Sequence, residues 1–194
     1  MLTASISVSA QEIVVDKVAD NYRCVEASRI TARSFTDRVV WNFGLKGITN
    51  KEETCPDSAS YVLIINLNAA APINYPETTT LLIKTGKDDV IELKSITAYH
   101  GNSVLLGYSY NRPIVGNVGT VSQNVITRNI AEFVIEASDI EKLQDGVAKV
   151  RVQTTNGYLE KEYKKDKAGV KLYQSYLNIK KRLSEPQKSI REGF

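Results

Sequence analysis

Thr80–Lys94 reads TLLIKTGKDDVIELK. Leu81 and Ile83 lead into Gly86-Lys87-Asp88-Asp89, a cluster of turn formers, and Val90–Lys94 returns. Two short apolar runs joined by such a cluster predict a β-hairpin, so an antiparallel sheet. The neighbouring stretches agree. Tyr61–Leu67 (YVLIINL) is apolar except for Asn66 and reads as a central strand. In Arg38–Ile48 (RVVWNFGLKGI), Val39, Trp41, Phe43 and Leu45 recur at period two, so one face is expected in the core. Gly44 and Gly47 inside it suggest a bulge or fraying.

Further strands follow from the same signals. Ile13–Val18 is a short, mostly apolar run. Tyr22–Thr31 alternates, with Tyr22, Cys24, Glu26 and Ser28 on one side and Arg23, Val25, Ala27 and Arg29 on the other. Thr49–Ser60 is a polar loop, and two prolines break Ala69–Pro76. A second hairpin is expected from Ser95–Tyr99 and Val104–Tyr110, turning at His100-Gly101-Asn102-Ser103. Arg112–Thr120 reads as a loop and Ser122–Glu136 as a strand. Ser138 can cap a short helix, Asp139–Gln144, with Glu141 at the capping-box position. Val147, Lys149, Arg151 and Gln153 then alternate with Ala148, Val150 and Val152, which predicts a half-buried strand.

The tail is different. Asp166 is a candidate N-cap for a helix running to Leu183, with Leu172, Tyr176, Ile179 and Leu183 on one stripe, Tyr173 and Leu177 flanking it, and Pro186 ending it. The fold class is therefore mainly β, an antiparallel sandwich or barrel-like sheet with a C-terminal amphipathic helix. Residues 11–194 form a single β-rich domain with the helix at about 166–183.

The start, MLTASISVSAQE, is uncharged until Glu12 and rich in small residues. Val8 and Ala10 stand where an export protease expects small side chains, so residues 1–10 read as a signal-peptide remnant and the protein as periplasmic or extracellular. The basic segment of a full signal is missing, and a mature strand or frayed terminus is the alternative. In an oxidising compartment Cys24 and Cys55, the only cysteines, can form a disulfide. Two separate buried thiols are the other reading.

Catalytic constellations are sparse. The single histidine, His100, stands in the expected turn. Asp88-Asp89 and Glu52-Glu53 cannot be placed across a cleft. Gly86-Lys87 lacks the spacing of a phosphate loop, and Gly116–Gly119 lacks the following helix of a dinucleotide site. No metal site and no cofactor are expected. The least ordinary cluster is Tyr99, His100, Tyr108, Tyr110 and Arg112, which a hairpin would bring together. Tyrosines beside an arginine suit stacking on a sugar, a peptide or a protein partner; cross-strand aromatic packing explains them equally.

Residues 156–194 carry ten Lys and Arg against five Asp and Glu. Acids are interleaved, so a solvated helix face explains the surplus and no nucleic-acid partner is expected. No apolar run approaches the roughly 20 residues of a membrane helix, and no transmembrane span is expected. Gly146–Gly169 (GVAKVRVQTTNGYLEKEYKKDKAG) resembles the C-terminal part of small uncharacterised exported bacterial β-rich proteins. That resemblance implies export and a β-rich fold, with no activity attached.

Together these readings predict a non-catalytic exported binding or structural domain that meets a protein or glycan partner through its β surface. The alternative is a carrier of a small apolar ligand in a barrel-like cavity, although the Gly-x-Trp of lipocalin-type barrels is absent because Trp41 follows Val39-Val40. A carboxylate-based hydrolase ranks last.

Overall fold

The computed structural model describes residues 12–19, 21–32, 38–50, 58–69, 72–111, 118–163 and 167–185, and of residues 100–126 the backbone alone. The strands are β1 (Ile13–Val18), β2 (Tyr22–Ala27), β3 (Ile30–Ala32), β4 (Val40–Asn50), β5 (Ser60–Ala69), β6 (Thr80–Thr85), β7 (Val90–Asn111), β8 (Val118–Ile135), β9 (Val147–Thr154) and β10 (Gly157–Glu162). The helices are α1 (Ala137–Lys142), continued by a 3₁₀ turn at Leu143–Asp145, and α2 (Ala168–Ser184). All pairings are antiparallel, in the order β1-β2-β4-β5-β8-β7-β6-β9-β10, with β3 beside β4. The outermost strands are β1 and β10, so the sheet is open rather than a closed barrel.

The predicted hairpin at Thr80–Lys94 forms with Thr80 opposite Lys94 and Lys84 opposite Val90. Asp88 takes a positive φ of 70° in its turn, a conformation that Asp tolerates better than most residues. The expected face of β4 is buried at Trp41, Phe43 and Leu45, but Asn42 and Gly44 between them are buried too, so this stretch is covered on both faces. Tyr61–Leu67 lies inside β5, the strand between β4 and β8.

Several expectations need correction. Tyr22–Thr31 is two strands, because β2 pairs with Lys46–Asn50 of β4 and β3 with Trp41–Phe43 farther along the same edge. Gly44 and Gly47 cause neither bulge nor fraying; β4 keeps regular register with β5 from Val40 to Ile48. Ser138 lies inside α1, whose N-cap is Glu136 and has no side-chain cap. Val147 is buried with Val150 and Val152, because a register shift between Lys84 and Thr85 displaces one position of β9.

The largest departure is at residues 100–103. No turn forms there. β7 continues straight through to Asn111, paired with β8 from Ser95 opposite Phe133 to Asn111 opposite Val118. Gly and Asn favour turns locally, but the continuous ladder with β8 outweighs that preference.

Leu172, Tyr176, Ile179 and Leu183 of α2 are buried as the stripe predicts, whereas Leu177 is exposed. Asp166 lies outside the described residues; the observed N-cap is Lys167. At the other end Glu185 is extended, as the residue before Pro186 should be. α2 touches β2, β3 and β4 on one limb of the sheet, and β9 and the 3₁₀ turn on the other. A single core cluster results, uniting Phe43, Leu63 and Phe133 with Ile83, Val152 and Leu143. Gly47 makes the seat. A Cβ there would stand 2.5 Å from Ile179 Cγ2 and 3.1 Å from Leu183 Cδ1.

The helix end is latched by charge. Arg23 of β2 donates through Nε and Nη2 to both carboxylate oxygens of Asp16, each at 2.9 Å. Its Nη1 donates to the Glu185 carbonyl at 2.8 Å, satisfying an acceptor at the helix terminus. Arg182 Nε reaches the same Asp16 carboxylate at 2.6 Å. Thus β1, β2 and α2 share one partly buried ion cluster.

Hydrogen bonds from Arg23, and then from Arg182, hold the Asp16 carboxyl below its ordinary value of 3.8, against the opposing effect of burial. The folded chain thus binds that proton less readily than the unfolded chain. The stabilisation is full above the ordinary value and is lost as pH falls through the lowered one. Asp16→Asn should cost about 2 kcal/mol at neutral pH and flatten the acid limb below about pH 4. Denaturant unfolding from pH 2 to 7 checks this; parallel curves for variant and wild type would contradict it.

Candidate binding surface

The five residues singled out in the sequence do not form one cluster. Tyr99, His100, Tyr108 and Tyr110 all lie on β7, and Arg112 lies outside the described residues. With no turn at 100–103, Tyr99 and Tyr110 are separated by roughly 35 Å of extended strand. Past the register shift between Ser95 and Thr97 the alternation is regular. His100, Tyr108 and Tyr110 therefore share one row and Tyr99 belongs to the other. His100 registers opposite Asn129, Tyr108 opposite Val121 and Tyr110 opposite Gly119.

What the structure builds instead is a two-stranded ribbon. β5 pairs with β8 only from Thr127 to Ile135. β6 pairs with β7 only from Val90 to Lys94. Beyond those limits Gly101–Asn111 and Val118–Ile126 pair with each other and, among the described residues, with no other strand. Among the described residues the ribbon thus has two unpaired outer edges, each about ten residues long.

Its root is firmly held. Asn129 is fully buried, and its amide donates to the Leu67 carbonyl at 2.9 Å while its Oδ1 accepts from the Ile73 amide at 2.8 Å. Tyr75 donates to the Asn129 carbonyl at 3.4 Å, and burial pushes its hydroxyl pKa well above the ordinary phenol value. The Asn74 carbonyl accepts from the Thr155 amide at 2.9 Å. The segment 72–76 thus ties β8, at the ribbon's root, to the turn between β9 and β10.

The outer face of the body differs from one limb to the other. Over β5, Lys46 Nζ meets Glu132 Oε2 at 3.0 Å, linking β4 to β8 across the intervening strand. Lys46 registers beside Val62 and Glu132 beside Ile64. The two long side chains cover the centre of the strand, and both apolar residues are buried. On this face Ile96 is 55% exposed, Tyr99 53% and Val134 50%; Tyr99, opposite Ile130, lies toward the ribbon, whereas Ile96 is level with Glu132 and Val134 lies beyond it.

Elsewhere several charged groups pair with one another. Glu160 is held below its ordinary range by hydrogen bonds from Lys149 and Arg151, and Arg151 also lies 4.2 Å over the Tyr158 ring. Among the described residues no group of three His, Cys, Asp or Glu could hold a metal ion, and no helix is long and apolar enough to cross a membrane. Asp88 pairs with Lys84 at 2.7 Å in the β6–β7 turn. Glu52, Glu53 and Gly116 lie outside the described residues.

The ribbon had a signal in the sequence that alternation and turn residues do not reveal. Between Lys94 and Arg128 the only charged residue is Arg112. No protein-family profile, curated protein sequence or solved structure matches this chain. Nothing in these comparisons bears on the resemblance expected from Gly146–Gly169.

Cys24 on β2 carries a free thiol, and Cys55 lies outside the described residues. Burial pushes the Cys24 thiol above its ordinary value of 9.0, so it is a poor nucleophile at neutral pH. Iodoacetamide labelling of the native protein without reductant should be slow at pH 7 and rise only above about pH 9. Labelling that requires prior reduction would mean that Cys24 is bridged.

Proposed function

We propose that this chain is a non-catalytic binding module that acts through its β surface, with the ribbon of β7 and β8 as the contact element. The observation that carries the reading is the ribbon itself: a long pair of strands past the end of the body, with both outer edges unpaired among the described residues. Natural sheets blunt such edges with charge, bulges or covering segments, and an isolated two-stranded hairpin is marginal in water. A ribbon with none of the charged protection is therefore suited to gaining a partner, by strand addition or by burial of its apolar row.

Other features support the same reading. Tyr99, 53% exposed, stands on β7 two residues before the ribbon begins. The described ion pairs of Asp16, Glu132 and Glu160 join strand to strand or strand to helix, which is a structural use of carboxylates. The inner face is filled by α2 and its core, so a carried apolar ligand has no specific feature in its favour. Export remains part of the proposal on the strength of the small-residue start, whose residues lie outside those described.

Hydrogen–deuterium exchange resolved by peptide tests the assignment. The purified chain is compared when dilute, when concentrated, with a glycan panel and with lipid vesicles. In at least one condition, peptides covering 101–111 and 118–126 should gain protection while those of β4, β5 and α2 stay unchanged. Protection that maps to β9, β10 or α2 instead, or no ribbon protection in any condition, would move the contact surface away from the ribbon.

A further inference from the structure

The open edge of β7 begins before the ribbon does. Its pairing with β6 ends at Lys94 opposite Thr80, and one further backbone bond joins the Ser95 amide to the Thr79 carbonyl at 2.9 Å. From Ile96 to Asn111 that edge pairs, among the described residues, with no strand. On the other side β8 stays paired with β5 as far as Thr127 opposite Ala69. The longer of the two open edges therefore belongs to β7.

The outermost strands of the sheet are β1 and β10, and both carry charge. β1 holds Asp16 and Lys17, and β10 holds Glu160, Lys161 and Glu162. Charges of this kind discourage a second sheet from adding on. Ile96–Asn111 holds no Asp, Glu, Lys or Arg. A partner recognised by opposite charge has nothing there to meet. A strand that pairs with its own copy has the reverse need: a two-fold axis brings like residues together, and like charges facing each other destabilise a sheet. The pattern near the middle of the edge suits the same axis. Val104, Leu105 and Leu106 are consecutive there, flanked by Asn102-Ser103 before and Gly107 after.

We propose that two copies of this chain pair through the β7 edges of their ribbons, antiparallel about a two-fold axis at Leu105. The proposal rests on the reading of the ribbon as the contact element and names its partner as a second copy. About that axis Val104 of each copy registers opposite Leu106 of the other, so apolar positions meet apolar ones. Tyr99 falls level with Asn111 of the other copy. The paired stretch thus ends short of Thr80, where β6 takes over the same edge, and the two bodies lie at opposite ends. Two strands alone are marginal in water, and the pair of ribbons makes a sheet of four. One contact completes an open edge in both molecules at once, whereas a foreign strand completes only one.

Sedimentation of the full chain over a concentration series tests this, with Leu105→Lys and Leu105→Glu as variants. Wild type should pass from the mass of one chain to that of two. Each variant alone should need at least about tenfold more protein to associate, because like charges meet at the axis. Mixed in equal amounts, the two should associate as wild type does, with the introduced ammonium facing the introduced carboxylate; an unfolded variant would not be rescued in this way. The same pair of changes at Val104, one residue from the axis, replaces the first pair if a charge at Leu105 unfolds the chain. A wild type that stays single at every concentration, equal association by wild type and Leu105→Lys, or a mixture no better than its parts would overturn the pairing. If wild type stays single while a glycan or vesicles protect 101–111 from exchange, the ribbon remains a contact element and a second copy is not its partner. If nothing protects it, both readings fall.

Discussion

Ile179 lies against the bare backbone of Gly47, and the rest of the structure depends on that approach. The methyl Cγ2 of a fully buried, β-branched side chain has no free rotamer to escape into. With no Cβ at position 47, the helix axis can come close enough to the sheet for Leu172, Tyr176 and Leu183 to bury with it. Tyr176 then packs edge-on against Tyr61 of β5, with ring centroids 5.0 Å apart. Because α2 also reaches β9 and the 3₁₀ turn, this seat joins the two limbs of an open sheet into one core. The ion cluster of Asp16, Arg23 and Arg182 fastens the helix end once it is seated.

The ribbon follows from the same arrangement. The body is complete where β5 and β6 end, and its inner face is already occupied by α2. β7 and β8 simply continue beyond it, held at the root by Asn129 and the segment 72–76.

Much of the body was legible in the residues. Trp41, Phe43 and Leu45 recur at period two because that face of β4 lies in the core cluster, and Leu172, Tyr176, Ile179 and Leu183 repeat because one stripe of α2 does. What local pattern could not show is anything set by pairing across the chain. His100-Gly101-Asn102-Ser103 carries turn residues, yet its register opposite Thr127–Asn129 and beyond keeps it extended, which dispersed the tyrosine cluster expected there. Gly47 reads as a flaw in a strand until Ile179 is placed beside it. Asp16 and Arg182 are far apart in sequence, and no spacing rule joins them. The long gap between Lys94 and Arg128, broken only by Arg112, is visible in the residues, but its meaning depends on knowing that both of its strands leave the body.

The seat of α2 is tested most directly by a double-mutant cycle at Gly47 and Ile179, followed by denaturant unfolding. An interior strand glycine ordinarily gains about 0.5–1 kcal/mol on replacement by alanine. Here Gly47→Ala should instead lose about 2 kcal/mol, because the new methyl meets Ile179 Cγ2. Adding Ile179→Leu, which removes that methyl at nearly constant volume, should restore about half of the loss or more. Stabilisation by Gly47→Ala alone, or purely additive effects of the two changes, would contradict the account.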